Sequence, residues 1–183
     1  MPRLERRDWV LGAFRLTARS GIGGVKVEPL ADALGVTKGS FYHHFADRTA
    51  LLEAVLAHWV DQATDRIIAL VEADPAPTPG RALHRLIEAT ITEPGEHDDA
   101  ETAIREWAGD DPAVAEVVAE VDERRLGYVT ALLVAAGVAD DVAQHRAHLL
   151  YRVLIGEYLW RRYGGEPIDP DAVHDLADWM LET

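Results

Sequence analysis

Apolar residues recur along this chain at intervals of three and four, with little strict alternation, so the pattern predicts helices almost from end to end. The first predicted helix runs from Leu4 to Ser20, with Trp9, Val10, Ala13, Phe14 and Thr17 as its inward stripe and Gly21 as its stop. Two short helices come next, near Glu28–Leu34 and Lys38–His44. Asp47 then caps a long helix to Glu72, marked by Leu51, Leu52, Val55, Leu56, Trp59 and Ile67. The Pro-rich run from Ala73 to Gly80 cannot be helix interior. Beyond it the spacing predicts a helix over Arg81–Thr92 ended by Pro94-Gly95, a polar loop at Glu96–Asp99, and a helix carrying Ile104 and Trp107. Asp111-Pro112 and Asp169-Pro170 each pair a capping side chain with proline at a first helical position. They open helices to about Ala136 and Leu181, and between these lies a helix from Asp140 to Tyr163, stopped by Gly164-Gly165. The expectation is an all-α fold of about nine helices, with a head at residues 1–46 and a body at 47–183.

The stretch from Leu30 to Phe45 carries the sharpest signal. Leu30, Ala31 and Leu34 share one helical face, and Gly35 suits the left-handed position that ends a helix. Val36 then turns back to the core, and Thr37 is a good N-cap for the next helix. That second helix opens Lys38-Gly39-Ser40, small and polar, while Phe41 and Phe45 supply its inward face. This is the layout of a DNA-reading helix-turn-helix, in which the N-terminal residues of the second helix approach base edges. Thr37, Lys38, Gly39 and Ser40 occupy that place. Lys38 can donate to guanine or to phosphate, Ser40 suits either strand, and Gly39 lets the backbone come close. Lys26, at the start of the preceding helix, is placed for an adjacent phosphate. The plain alternative for Lys38 and Ser40 is solvated surface, and for Tyr42 a ring packed within the head.

The run LADALGVTKGSFYHHFADRTALL, from Leu30 to Leu52, resembles the signature of the tetracycline-repressor (TetR) family of transcriptional regulators. The Gly-Val-Thr turn, the Phe-Tyr-x-x-Phe core and the next helix start all fall in register. The resemblance implies an all-helical homodimer with an N-terminal DNA reader and a C-terminal domain for a small-molecule effector and dimerisation, and the lack of a secretory signal pattern leads one to expect it in the cytoplasm. It also implies Tyr42 and His43 as base or backbone contacts and Arg48 as a phosphate clamp. Two such heads would read the half-sites of a palindromic operator on double-stranded DNA, about 34–36 Å apart. Two departures stand out: Lys26 replaces the family's usual Thr before the second helix, losing a cap, and Arg48 replaces a usual Lys.

A formal net charge of −14 looks hostile to DNA until its distribution is read. Residues 1–48 hold eight Lys+Arg against five Asp+Glu, a balance of +3, and residues 49–183 hold ten against twenty-seven, a balance of −17. Phosphate attraction is screened over about 8–10 Å, so a basic head on an acidic body can still bind DNA. Cysteine is absent, which excludes disulfides, thiolate metal sites and cysteine nucleophiles. No apolar run is long enough for a membrane span, and the N-terminal arginines are not succeeded by the apolar stretch of a secretory signal.

In the body, the predicted Asp140–Tyr163 helix is apolar on two faces. Leu149, Val153, Gly156 and Trp160 on one of them, with Val173, Leu176 and Met180 of the last helix, resemble the four-helix dimer seam of the family. Arg105, Trp107, Arg124, Tyr128, Tyr151 and Tyr158 are the polar and aromatic residues best suited to line an effector pocket. Catalytic chemistry finds no support: the two serines lie outside any nucleophile elbow, no phosphate-cradling loop succeeds a strand, and no Glu-x-x-His pair suggests a metal or cofactor site. The expectation is a repressor released from its operator by a ligand. The competing reading is a dimeric small-molecule- or protein-binding module whose DNA-binding head does not function.

Overall fold

The helical periodicity is realised in the computed structural model, which describes residues 4–73, 78–92 and 96–182. Among these residues there are helices and connecting turns and no strand. The order is α1 (Arg6–Gly24), α2 (Val27–Ala33), α3 (Lys38–Phe41), α4 (Arg48–Val60), α5 (Arg66–Glu72), α6 (Pro79–Ile87), α7 (Glu96–Asp110), α8 (Pro112–Ala135), α9 (Asp140–Arg162) and α10 (Pro170–Leu181). The expected long helix from Asp47 to Glu72 exists but is interrupted: a π-helical turn, Asp61–Asp65, separates α4 from α5. A second π turn, Glu88–Thr92, extends α6.

Three local expectations are corrected. The second helix of the helix-turn-helix is one turn long, because the chain leaves the helix at Tyr42. Thr37 takes the N-cap position without a side-chain bond to the turn it caps. Glu96–Asp99 is the first turn of α7, not a loop. Most of the Pro-rich break (residues 74–77) and the Pro94-Gly95 stop lie outside the described residues. The other caps act as their sequences suggest. Ala50 N donates to Asp47 Oδ1 at 2.9 Å, Ala113 N to Asp111 Oδ1 at 3.1 Å, and Asp171 N to Asp169 Oδ1 at 2.9 Å.

The chain packs into two units. The first comprises Met1–Asp61 and Gly95–Glu116. In it α1 lies against α4 and α7, and α2 bridges α1 and α3. The α1 stripe of Trp9, Val10, Ala13, Phe14 and Thr17 is buried, as its spacing predicts. Trp9 meets Phe41 edge-on at 5.4 Å and Phe41 stacks on Phe45 at 5.5 Å, so one aromatic cluster anchors the short α3 from both ends. Gly21, at φ 65°, breaks α1 before its last turn in a conformation an L side chain resists. The unit also holds a buried carboxylate. Glu101 of α7 accepts from Trp59 Nε1 and from Arg105 Nε, each at 2.8 Å, and these charge-assisted bonds offset its removal from water.

The second unit comprises Gln62–Pro94 and Val117–Thr183. Its core draws Leu83, Ile87 and Ile91 from α6 and its π turn, Val129 and Leu133 from α8, Ala143, Ala147 and Leu150 from α9, and Val173, Ala177 and Met180 from α10. The last carbonyls of the π turn after α6 are met by side chains of α9: Tyr158 Oη donates to Thr90 O at 3.0 Å, and Arg161 donates to Ile91 O. Arg161 in turn pairs with buried Glu157 at 2.6 Å, and Glu157 accepts from Ile168 N at 3.0 Å, pinning the link into α10.

Candidate nucleic-acid interface

The turn between α2 and α3 is built by the main chain. Gly35 sits at φ 69°, which lets its N–H reach Asp32 O at 3.1 Å and the N–H of Val36 reach Ala31 O at 3.0 Å. The chain thus reverses in three residues, and Phe41 and Phe45 drop into the aromatic cluster. That anchoring leaves Thr37, Lys38, Gly39, Tyr42 and His43 exposed on one stretch, with Ser40 and His44 half-buried beside them. Of the two adjacent histidines, His43 is the outward one. Tyr42 is exposed and rests its ring edge-on against Phe41 at 5.2 Å. A methyl group added at Gly39 would meet nothing closer than Thr37 Oγ1 at 3.7 Å, so the chain's own packing does not call for glycine there.

The charges of this surface are partly engaged within the head. Lys38 Nζ donates to Glu28 Oε1 of α2 at 2.6 Å. Their hydrogen bond and mutual attraction raise the Lys38 pKa and lower that of Glu28, although both are exposed. Lys26 is exposed at the N-cap of α2 and makes no side-chain cap bond there, as the loss of threonine implies. Arg48 has a use the sequence does not suggest. Its Nε donates to Val25 O at 2.6 Å and its Nη2 to Ile22 O at 2.5 Å, tying the start of α4 to the link between α1 and α2. A guanidinium fork reaches two carbonyls at once, which a lysine ammonium in its place could not match.

The six residues expected to line a pocket are divided between the two units. Arg105 and Trp107 belong to the first unit, where Arg105 is held by Glu101 and Trp107 is half-buried. Arg124, Tyr128, Tyr151 and Tyr158 belong to the second. Arg124 is an exposed partner of Asp65, and the Tyr158 hydroxyl is occupied by Thr90 O. Tyr128 is half-buried, and burial, with Glu72 adding a smaller effect, pushes its pKa up. Tyr151 joins a polar centre within this unit, and its neighbour there is Arg125, not the predicted Arg124. Arg125 Nε donates to Thr64 Oγ1 at 3.0 Å and its Nη1 to Tyr151 Oη at 3.1 Å, while Tyr151 Oη donates to Asp122 Oδ1 at 2.6 Å. The signal is in the spacing: Arg125 continues the stripe Val118, Val121, Asp122, Val129 along α8, and Arg124 lies about 100° off it.

An open groove of about 800 Å³ runs between α8 and α9. Leu126, Gly127, Ala131 and Val134 give it an apolar floor, and Asp122, Glu123 and Asp140 line it with carboxylates. None of the six predicted residues lines it. No group of three or more His, Asp or Glu suited to a metal ion occurs among the described residues.

The expected dimer seam divides in two. Leu149, Val153, Gly156 and Trp160 lie along one face of α9, where Leu149, Val153 and Trp160 are exposed with Tyr163 and, from α10, Trp179. Val173 and Met180 are instead buried in the second unit's own core, and Leu176 packs partly against it. The stripe on α10 has the predicted period but points inward.

Residues 10–55, which span α1 to the first half of α4, match the bacterial regulatory proteins of the tetR family. The chain is 33% identical over 101 residues to the HTH-type transcriptional repressor KstR2 of Mycolicibacterium smegmatis, covering 55% of this chain and 48% of that one. It is 22% identical over 180 residues to the HTH-type transcriptional regulator BetI of Escherichia coli, covering 97% and 92%. It spans 33–48% of the length of two of the curated relatives it matches. Among solved structures, a transcriptional regulator from Saccharomonospora viridis in complex with choline superposes with a TM-score of 0.82 at 22% identity, covering 97% and 96% of the two chains. At that identity the likeness speaks for the fold.

Proposed function

We propose that this chain, whose residues 10–55 match the bacterial regulatory proteins of the tetR family, is a dimeric DNA-binding repressor of that family, released from a palindromic operator by a small-molecule effector. The observation that carries the reading is the outward stretch Thr37–His43, which is anchored from beneath by Trp9, Phe41 and Phe45 and has a glycine where the head itself needs none. Thr37, Lys38, Gly39, Ser40, Tyr42 and His43 face the groove of DNA in this reading, and Lys26 faces a phosphate. Lys38 exchanges Glu28 for the nucleic acid. Arg48 supports the interface by holding the α1–α2 link. The exposed apolar face of α9 with Trp179 of α10 forms the seam between copies; an apolar stripe of this length left in water is what a second copy covers. A neighbour of the same fold crystallised in complex with choline supports a small-molecule response, which this reading assigns to the second unit.

The test is selection of bound duplexes from a random DNA pool at near-physiological salt, read by sequencing. The expected result is a palindromic consensus whose affinity falls steeply with salt. Absence of enrichment by a folded, dimeric protein would overturn the reading in favour of a silent head.

A further inference from the structure

The long helix after the head is interrupted. Between α4 and α5 it carries the π turn Asp61–Asp65. A π turn is an α-helix with one residue inserted, and moving that residue along rotates the side chains it passes by about 100°. Such a turn is kept in place by the groups that grip it. Two consecutive arginines of α8 do so here: Arg124 pairs with Asp65, and Arg125 donates to the buried hydroxyl of Thr64. Arg124 is exposed, so water competes for its bond, whereas Arg125 is part-buried and has a second attachment. That attachment leads outward through Tyr151 to Asp122, and Asp122 is part of the wall of the α8/α9 groove.

We propose that Arg125 is the positioning residue of the regulatory response: it holds the Asp61–Asp65 turn in the DNA-binding register and lets go when a molecule in the α8/α9 groove engages Asp122. This deepens the regulator reading and rests on it. The chemistry of the groove limits the occupant. A molecule that takes Asp122 from Tyr151 must donate, and the neighbouring Glu123 and Asp140 favour a positive charge on it, while Leu126, Ala131 and Val134 ask for an apolar body. When Asp122 turns to such a donor, Tyr151 Oη loses its acceptor. The hydroxyl then reorients, and Arg125 loses the geometry that aligns Nε on Thr64 Oγ1. Coupling of this kind works only because the occupant binds the two states unequally.

The experiment uses the full chain and the consensus duplex from the random pool, with Thr64→Val, Arg125→Lys, Tyr151→Phe, Asp122→Asn and the Thr64→Val/Arg125→Lys double variant. Three quantities are read: operator affinity, thermal midpoint, and hydrogen exchange of the amides at 61–66. Thr64→Val keeps shape and removes the acceptor; it should weaken operator binding at least about five-fold, the low end of allosteric couplings, and speed exchange at 61–66 selectively. Arg125→Lys should do at least as much, since it also gives up Tyr151, and the double variant should add nothing to Arg125→Lys, because the contact that Thr64→Val breaks is already lost. Operator affinity unchanged in Thr64→Val and Arg125→Lys would overturn the proposal. So would exchange that rises evenly through the chain with a fallen midpoint, the mark of a merely structural role. Tyr151→Phe and Asp122→Asn should shift affinity in the same direction; indifference of both would remove the groove as the input. Should the unaltered protein select no duplex, the regulator reading itself fails, and the exchange at 61–66 still decides whether Arg125 holds the turn.

Discussion

Replacing Arg48 with methionine separates two uses of one positive charge. If Arg48 clamps a DNA phosphate, its removal lowers the salt slope of operator binding by about 0.9, one contact's worth of released counterion. If it holds the link from α1 to α2, the slope stays and the fold weakens. The structure favours the second. Two of the guanidinium nitrogens donate to Val25 O at 2.6 Å and Ile22 O at 2.5 Å, on the last turn of α1 beyond its break at Gly21 and the cap that leads into α2. Hydrogen bonds to charged groups contribute about 1.5–3 kcal/mol each, and the exposure of Arg48 cuts that to about 1 kcal/mol apiece. A loss of about 2 kcal/mol lowers the melting midpoint by roughly 4–8 °C for a chain of this size. Arg48→Lys, able to satisfy one carbonyl, should lose about half of that. Circular dichroism melting gives the midpoint, and fluorescence anisotropy across about 50–200 mM salt gives the slope. An unchanged midpoint together with a slope smaller by about one would refute the reasoning and return Arg48 to the phosphate backbone.

Three further outcomes rest on the same geometry. Glu28→Gln frees Lys38 from its carboxylate partner; operator affinity should rise and the salt slope steepen by up to about 0.9, whereas an unaltered slope would mean that Lys38 does not reach the DNA. Met180→Ala empties a fully buried site in the second unit and should cost about 2–5 kcal/mol in folding stability without shifting dimerisation; Gly165→Ala should do the reverse. A methyl at Gly165 would stand inside the indole of Trp160, forcing that exposed ring off Glu166 O, and sedimentation should show the dimer weakened by about 2 kcal/mol. Tyr128 titrates above the usual tyrosine range because burial, with Glu72 behind it, penalises the phenolate. A raised folded-state pKa means its contribution is complete below about pH 10 and is lost as the pH climbs through the shifted value, so Tyr128→Phe should flatten the alkaline decline in stability.

The features legible in the sequence are those that local spacing determines. The α1 stripe, the Gly35 reversal and the aspartate caps at Asp47, Asp111 and Asp169 depend on residues a few positions apart, and each takes the form its chemistry requires. The hidden features depend on partners far along the chain. Trp59 and Glu101 are 42 residues apart, Arg125 and Thr64 are 61, and no periodicity links them. The π turns are illegible for a related reason. Asp61–Asp65 and Glu88–Thr92 contain no proline or glycine to mark a fault, and the first is gripped by side chains from α8 while the carbonyls of the second are capped from α9. The α10 stripe shows the opposite failure. Its period is plain, but period alone does not say whether an apolar face meets its own core or a second copy.

The pairing of Lys38 with Glu28 also bears on how an acidic protein discriminates among DNA sites. A free lysine would attract any phosphate, whereas one held at 2.6 Å by a carboxylate must first give up that partner, and the carboxylate left behind repels the DNA. Non-specific sites offer Lys38 only a phosphate in exchange. On the proposed reading a cognate site adds base-edge contacts to Ser40, Tyr42 and His43, which a random sequence does not return. Those contacts add to the cost of breaking the ion pair without altering it, so the pair lowers affinity by the same factor on random and on cognate duplex. Glu28→Gln should therefore gain affinity equally on both, leaving selectivity to the base contacts. A larger gain on the consensus would show that Lys38 itself reads a base edge there, since only a contact made by Lys38 makes the exchange for Glu28 depend on sequence.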